Sequence, residues 1–190
     1  MIPSVPIAFW QYVDLIILVP FFALLAGLLA KHYRSNGSFL KTISHTIAAS
    51  PKSSRIFSLS MTVIAPVYYS FVWFWAAPRM VISEAFYWIL VPMLLSELLF
   101  VWLPANAVYT KWHTPFAVFT MVGMVAEVVI ITLSAKYLST WAEAMFLAFL
   151  GTACIFVAVL VLERLKRYVF LLEVIFCAVF LLAMSLAAHT

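Results

Sequence analysis

The sequence predicts an all-α, polytopic membrane protein that folds as a bundle of six transmembrane helices. Of its 190 residues, 67% are hydrophobic and only 9% are charged, and the mean hydropathy is +1.13. A helix needs ~20 apolar residues to cross the hydrocarbon core of a bilayer. Apolar runs of this length favour helices over barrel strands, whose two faces alternate. Six such runs fill almost the whole chain, so a single transmembrane domain over residues 1–190 is expected.

The first predicted span covers residues 7–30 and closes at the basic segment Lys31-His32-Tyr33-Arg34. The loop that follows, residues 35–55, is the longest connection in the chain. Its middle, residues 39–49, is expected to form a short helix at the membrane interface.

The second span covers residues 57–77 and ends at Pro78-Arg79. Pro66 is expected to kink this helix, because a proline removes one backbone hydrogen bond and crowds the preceding turn. Short polar segments separate the other apolar runs, each of which is long enough to cross a bilayer. These runs predict spans at residues 84–103, 116–135, 141–162 and 168–188.

The positions of Lys and Arg predict the orientation, because cytoplasmic loops carry an excess of basic residues. Loops two and four hold only Arg79 and Lys136. Both termini are therefore expected on the non-cytoplasmic side, and no nucleic-acid partner is expected despite the net charge of +4. Loops one, three and five hold nine basic residues, which are Lys31, Arg34, Lys41, Lys52, Arg55, Lys111, Arg164, Lys166 and Arg167.

Six tryptophans lie near predicted span ends, and Trp112 lies just before one. Amphipathic rings at these positions are typical of the aromatic belt that anchors a protein at the headgroup level. The six are Trp10, Trp73, Trp75, Trp88, Trp102 and Trp141.

Acidic residues inside the spans are the main functional signal. Asp14, Glu97, Glu127 and Glu173 lie within apolar runs, and Glu143 lies one turn inside span five. A carboxylate in hydrocarbon costs ~2.5 kcal/mol or more, so these groups should face the bundle interior. We expect Glu97, Glu127 and Glu173 to converge on one ligand-binding cavity. The alternative, favoured for Asp14 and Glu143, is a neutral acid hydrogen-bonded to a neighbouring helix.

A polar hinge, residues 104–115, connects spans three and four. It contains His113, which is expected to bind a phosphate headgroup, carry protons, or cap the helix entry in contact with water. The four histidines lack metal-binding spacing, and the chain lacks nucleophile motifs and phosphate-binding glycine loops. We therefore expect no metal site, cofactor or catalytic residue, although the sequence does not decide whether the protein is an enzyme.

Two segments carry a family resemblance. The first is Ile43-Ser44-His45-Thr46 with Ser50-Pro51 and Arg55-Ile56-Phe57, and the second is His113 with Ala117, Phe119 and Gly123. They resemble two patterns of the Frag1/DRAM/Sfk1 membrane proteins and the related bacterial DUF998 group. The resemblance covers roughly forty residues and implies a six-helix protein linked to the handling of membrane lipids. Residue by residue, it carries over only Ser44 and His113.

Three functions follow as hypotheses. The first is binding of a lipid or amphipathic small molecule in a cavity lined by Glu97, Glu127 and Glu173, with Ser44 and His113 meeting headgroups. The second is an accessory subunit of a larger membrane complex, with another membrane protein or a second copy of the chain as partner. The third is a small proton-coupled carrier.

Overall fold

The computed structural model describes residues 7–34, 43–48, 50–103, 110–162, 164 and 168–189. Within these ranges the chain is helical and contains no strand, so the predicted all-α class is confirmed. A π-helical turn, Val72–Ala76, joins α3 to α4. The helices are α1 (Ile7–Arg34), α2 (Ile43–Ala48), α3 (Pro51–Phe71), α4 (Ala77–Met80), α5 (Ala85–Trp102), α6 (Thr110–Ser134), α7 (Thr140–Val161) and α8 (Val169–Ala188).

Four helical segments of the described chain are long and apolar enough to cross a membrane. They are Pro51–Met80, Lys111–Ser134, Thr140–Val161 and Val169–Ala188. Two shorter apolar stretches, Ile16–Lys31 and Phe86–Trp102, belong to α1 and α5. Length and apolar composition are therefore consistent with an integral membrane protein.

Helix α3 begins six residues before the predicted span, because its first residues form a strong helix start. Ser50 is the N-cap and accepts a hydrogen bond from the backbone nitrogen of Ser53 at 3.5 Å, and Pro51 is the first helical residue. A proline suits this position because its missing N–H would have no partner there. The helix continues through Pro66 and widens into the π-helical turn six residues later.

Helix α6 also begins six residues early, at Thr110. The predicted hinge over residues 104–115 is therefore wrong in its second half, where Lys111, Trp112 and His113 are helical. Residues 104–109 lie outside the described chain. The predicted ends of the helices α5, α7 and α8 agree with the structure to within one residue. A short helix, α2, is present within the predicted stretch 39–49, and residues 39–42 and 49 lie outside the described chain.

Helices that follow each other in the sequence pack together, α5 against α6 and α7 against α8, while α3 lies between α1 and α5. Hydrogen bonds fix the register of α3 on α5. The Ser58 hydroxyl donates to the Val101 carbonyl oxygen at 2.7 Å, and the Trp102 indole N–H donates to the Thr62 hydroxyl at 2.9 Å. Hydrogen bonds between helices stabilise one relative position of the two helices, which apolar packing alone specifies weakly.

Four of the described tryptophans have the exposure that an aromatic belt requires, namely Trp88, Trp102, Trp112 and Trp141. Trp75 does not, because it is buried in the core at the π-helical turn. The Arg79 guanidinium carbon lies 4.5 Å from the centroid of its ring. This geometry is a cation–π contact. Because its side chain is buried in the core, Trp75 is not exposed as a surface anchor would be.

A strained residue follows α4. Val81 has φ 52° and ψ 56°, which is the left-handed conformation. Its backbone N–H donates to the carbonyl oxygens of Ala77 and Pro78 and so ends the helix. This conformation costs a β-branched residue roughly 1–2 kcal/mol, whereas glycine adopts it freely. We expect Val81→Gly to raise the free energy of unfolding by about 0.5–1 kcal/mol, because the larger backbone entropy of glycine in the unfolded chain offsets part of the gain. Thermal unfolding in detergent micelles measures the effect.

The matched control is Val91→Gly, which removes an exposed valine side chain from the interior of α5. That change should lower stability, because glycine weakens a helix interior. A loss of stability in Val81→Gly as well would contradict the assignment of strain to Val81.

Candidate functional site

An elongated cavity of about 160 Å³ lies among α1, α2, α3, α5, α6 and α8. A buried water needs about 10–15 Å³ of such space, so the cavity is far larger than a single water site. Its wall is mostly apolar and includes Phe21, Phe57 and Phe176. The polar side chains in the wall are Ser44, Ser54, Tyr68, Glu97, His113, Thr120 and Glu173.

The sequence analysis predicted five site residues, and four of them are part of the cavity wall. These are Ser44, Glu97, His113 and Glu173. Glu127 is not part of the wall, whereas Met124, one helical turn before it on α6, is part of the wall. The cavity therefore ends about one turn short of Glu127.

Glu97 lies on α5, one and a half turns before the helix ends. It is 8% exposed, and its place in the wall directs that exposure into the cavity. The Tyr69 hydroxyl of α3 donates a hydrogen bond to its carboxyl group. Glu97 thus combines an interhelical hydrogen bond with access to the cavity.

Glu173 has a clear structural role. Its Oε2 accepts a hydrogen bond from the backbone nitrogen of Ile43, the first residue of α2, at 2.5 Å. A carboxylate at this position satisfies one of the free N–H groups at the helix start. Glu173 therefore holds α2 at the cavity, where the next residue, Ser44, enters the wall.

His113 lies in the first turns of α6, is 7% exposed and lines the cavity, so its imidazole is not at the outer surface of the bundle. Its Nδ1 lies 3.0 Å from the carbonyl oxygen of Phe100 and 2.5 Å from that of Leu103. Both oxygens only accept, so Nδ1 carries the proton. The imidazole thereby caps the carboxyl end of α5 and ties it to the start of α6.

A hydroxyl pair joins the same two helices one turn further along. The Ser96 hydroxyl donates to the Phe116 carbonyl oxygen at 2.9 Å. The Thr120 hydroxyl lies 3.2 Å from the Ser96 oxygen and 3.0 Å from the Phe116 carbonyl oxygen. On α6, His113, Thr120 and Glu127 follow at seven-residue intervals, so one helix face carries all three polar groups toward the bundle interior.

Glu127 is completely buried, and neither of its carboxyl oxygens has a hydrogen-bond partner in the described structure. The Tyr68 hydroxyl and the Trp75 indole N–H are also buried atoms without a hydrogen-bond partner in the described structure. A buried polar group without a partner costs about 1–3 kcal/mol, and more if it is charged. The arrangement around Tyr68 and Glu127 is therefore poorly explained by packing alone.

The two acids of α5 and α6 approach each other from opposite sides of one close contact. A Cβ on Gly123 would lie 2.6 Å from the Met93 sulfur, so the helices touch there. Glu97 is one turn beyond Met93, and Glu127 is one turn beyond Gly123. Since the helices are antiparallel and side chains lean toward the helix start, the carboxyl groups point toward each other. The Glu127 carboxyl group interacts electrostatically with Glu97 and with Tyr68.

No Lys or Arg of the described residues lines the cavity, so the field there is set by acids and hydroxyl groups. The same residues contain no group of three or more His, Cys, Asp or Glu that could hold a metal ion. Glu143 is exposed in the first turn of α7, where the helix dipole favours a negative charge. The side chain of Asp14 lies outside what the structure describes.

Tyr68 and Tyr69 are the site residues that sequence reasoning missed. Both are buried, and they lie in the middle of the predicted second span, away from the ends where membrane-anchoring aromatic residues are expected. A hydroxyl-bearing ring at mid-span needs a polar partner, and this was the available signal.

Comparison with known proteins adds no family to this description. No protein-family model matches the chain, and neither the curated proteins nor the solved structures contain a match to it. The resemblance to the Frag1/DRAM/Sfk1 proteins therefore stays a prediction.

Proposed function

We propose that the chain is a six-span integral membrane protein that binds the hydrocarbon chain of a lipid or another amphipathic molecule in its bundle cavity. The shape of the cavity carries the proposal. Ser54 and Tyr68 both line it and are fourteen residues apart on α3, a distance of about 21 Å at the helical rise of 1.5 Å per residue. A volume of about 160 Å³ drawn out over this length is a slot, which suits a chain of methylene groups better than a compact ligand.

The six-span arrangement treats α1 and α5 as spans as well. Their 28 and 18 residues correspond to about 42 Å and 27 Å of helix, against a hydrocarbon core of about 30 Å. An even number of spans places both termini on one side. The basic residues of loops one, three and five favour the cytoplasm for those loops, and hence a non-cytoplasmic position for the termini.

The other two hypotheses have less support. An accessory subunit would use its buried acids only for interhelical hydrogen bonds, which fits Glu173 but not Glu127 with its two unpartnered oxygens. A proton-coupled carrier needs a water-accessible path from Glu127 to a second acid, and Glu127 is outside the cavity wall.

Filling the slot tests the proposal. Ala117 lines the cavity, whereas the adjacent Val118 is exposed on the outer face of α6. We expect Ala117→Phe to reduce the lipid or amphipath that copurifies with the protein by about tenfold, because a phenyl ring occupies space that the ligand chain needs. Mass spectrometry of organic extracts of the purified protein measures the retained molecules.

Val118→Phe adds the same ring on the outside and should leave retention unchanged. Size-exclusion chromatography of both variants verifies that each stays folded. Equal retention in the two variants, or no retained amphipath in the natural protein, would reject a ligand chain in the slot.

A further inference from the structure

We propose that the polar group of the bound amphipath is an amine, held at the Tyr68 end of the slot by Glu97 and Tyr68 with the carboxyl group of Glu127 behind them. This inference rests on the proposed function and specifies the class of ligand. Two observations independent of the cavity's shape support it: the unpartnered hydroxyl of Tyr68 in the cavity wall and the unpartnered carboxyl group of Glu127 about one helical turn beyond the wall.

The balance of donors and acceptors favours an amine. At the Tyr68 end of the slot the wall offers the Glu97 carboxyl group and the Tyr68 hydroxyl, and the Glu127 carboxyl group lies outside the wall. The Tyr69 hydroxyl, a donor already present, is used by Glu97. A protonated amine brings three N–H donors and no acceptor. A carboxylate or phosphate would instead bring more acceptors and a like charge, so an anionic head is disfavoured at this end.

Aromatic rings surround the same place. The rings of Tyr68 and Tyr69 meet edge to face with centroids 5.4 Å apart, and the Phe180 ring lies 6.2 Å from that of Tyr68. Tyr68 and Phe180 are both part of the cavity wall. Carboxyl groups combined with ring faces are the chemistry by which proteins recognise organic cations.

The charge balance points the same way. The cavity wall contains acids and no Lys or Arg, so the acids have no counter-ion among the residues that the structure describes. A cationic ligand would supply one inside a medium of low dielectric constant, where an opposite charge has its largest effect. The hydrocarbon tail of such a ligand then extends along the apolar wall toward α2.

Three probes with one chain length separate the head group from the tail. Dodecylamine, dodecanol and dodecanoate are titrated against the protein in lipid nanodiscs, and native mass spectrometry measures the bound fraction. We expect dodecylamine to bind at least about ten times more tightly than dodecanol, and dodecanoate to bind most weakly, because a hydrogen bond to a charged group adds roughly this factor.

Variants then assign the preference to the named residues. Glu97→Gln should remove the preference for the amine over the alcohol, and Glu127→Gln should reduce it several-fold, since the Glu127 carboxyl group acts from behind the wall. Tyr68→Phe keeps the ring, removes an unpartnered hydroxyl and should also weaken amine binding without harming the fold. Glu143→Gln on the exposed start of α7 is the control and should change nothing.

Equal binding of dodecanol and dodecylamine to the natural protein would overturn the amine assignment, as would a preference that survives in both Glu97→Gln and Glu127→Gln. Dodecanol binding that is lost in Ala117→Phe would leave the proposed function standing in that case. If none of the three probes binds in a way that Ala117→Phe reduces, the slot itself is not a ligand site and both proposals fail.

Discussion

Replacing Glu127 with leucine is expected to stabilise the protein, by about 2.5 kcal/mol in the free energy of unfolding. Glu127 is fully buried and both carboxyl oxygens lack a partner, so the native structure bears the cost of keeping a polar group from water. Leucine has a similar volume and removes that cost, as happens when buried ionic groups are replaced by apolar ones. Titration of the protein from mild detergent into sodium dodecyl sulfate, followed by circular dichroism, measures the change.

Two further variants bracket this result. Glu127→Gln keeps the shape and polarity but not the acid, so it should give a smaller gain than leucine. Glu143→Leu alters an exposed acid at a helix start and should give no gain. A clear loss of stability in Glu127→Leu would show that Glu127 makes a stabilising contact, and would favour the accessory-subunit hypothesis over ligand binding.

The expected gain also bears on function. A side chain that lowers stability persists when the activity requires it, and sites of this kind show a trade-off between stability and activity. Glu127→Leu should therefore combine higher stability with weaker amine binding. Stability and binding would fall together if the residue served only to hold the helices in place.

The helices themselves were largely predictable, because a membrane span is defined by one simple property. The described ends of α5, α7 and α8 follow the apolar runs closely. The errors fall where polar residues are helical. Hydropathy predicted the start of α3 at residue 57. In the structure Ser50 and Pro51 form a capped helix start, which a hydropathy scale does not detect.

The site was predictable only in part. Mid-span acids must face inward, and this reasoning placed Glu97 and Glu173 correctly at the bundle interior. It did not distinguish their roles, because the partner of Glu173 is a backbone N–H of α2, 130 residues away in the chain. It also did not show that Glu127 lies about one helical turn beyond the end of the cavity. Such differences depend on helix rotation and register, which a sequence of uniformly apolar residues specifies weakly.

His113 illustrates the same limit. A polar segment before an apolar run suggested a loop, so its imidazole was expected to bind a phosphate headgroup, carry protons, or cap the helix entry in contact with water. In the structure the segment is the first part of α6, and the ring is buried against carbonyl oxygens at the end of α5. The four free carbonyl groups at the end of a helix require partners, and that requirement accounts for a buried histidine here.

Gly123→Val is expected to lower the free energy of unfolding by about 1–3 kcal/mol, the usual cost of overfilling a packed core. A Cβ at this position would lie 2.6 to 2.9 Å from three atoms of the Met93 side chain, which is itself fully buried. The Met93 side chain therefore packs directly on the Gly123 backbone. Gly151→Ala is the control, because nothing lies within 4 Å of its added methyl group and alanine favours a helix by up to about 1 kcal/mol.

A second substitution decides whether the Met93 contact is the cause. Met93→Ala alone should cost about 2–5 kcal/mol through the cavity it leaves. In the double variant the valine fills that cavity, so its loss should be smaller than the two single losses added together, by about 1 kcal/mol or more. Additive losses would show that the strain in Gly123→Val arises elsewhere. Because this contact lies between the levels of Glu97 and Glu127, the single Gly123→Val change should also separate the two acids and weaken dodecylamine binding, and Met93→Ala should restore part of it.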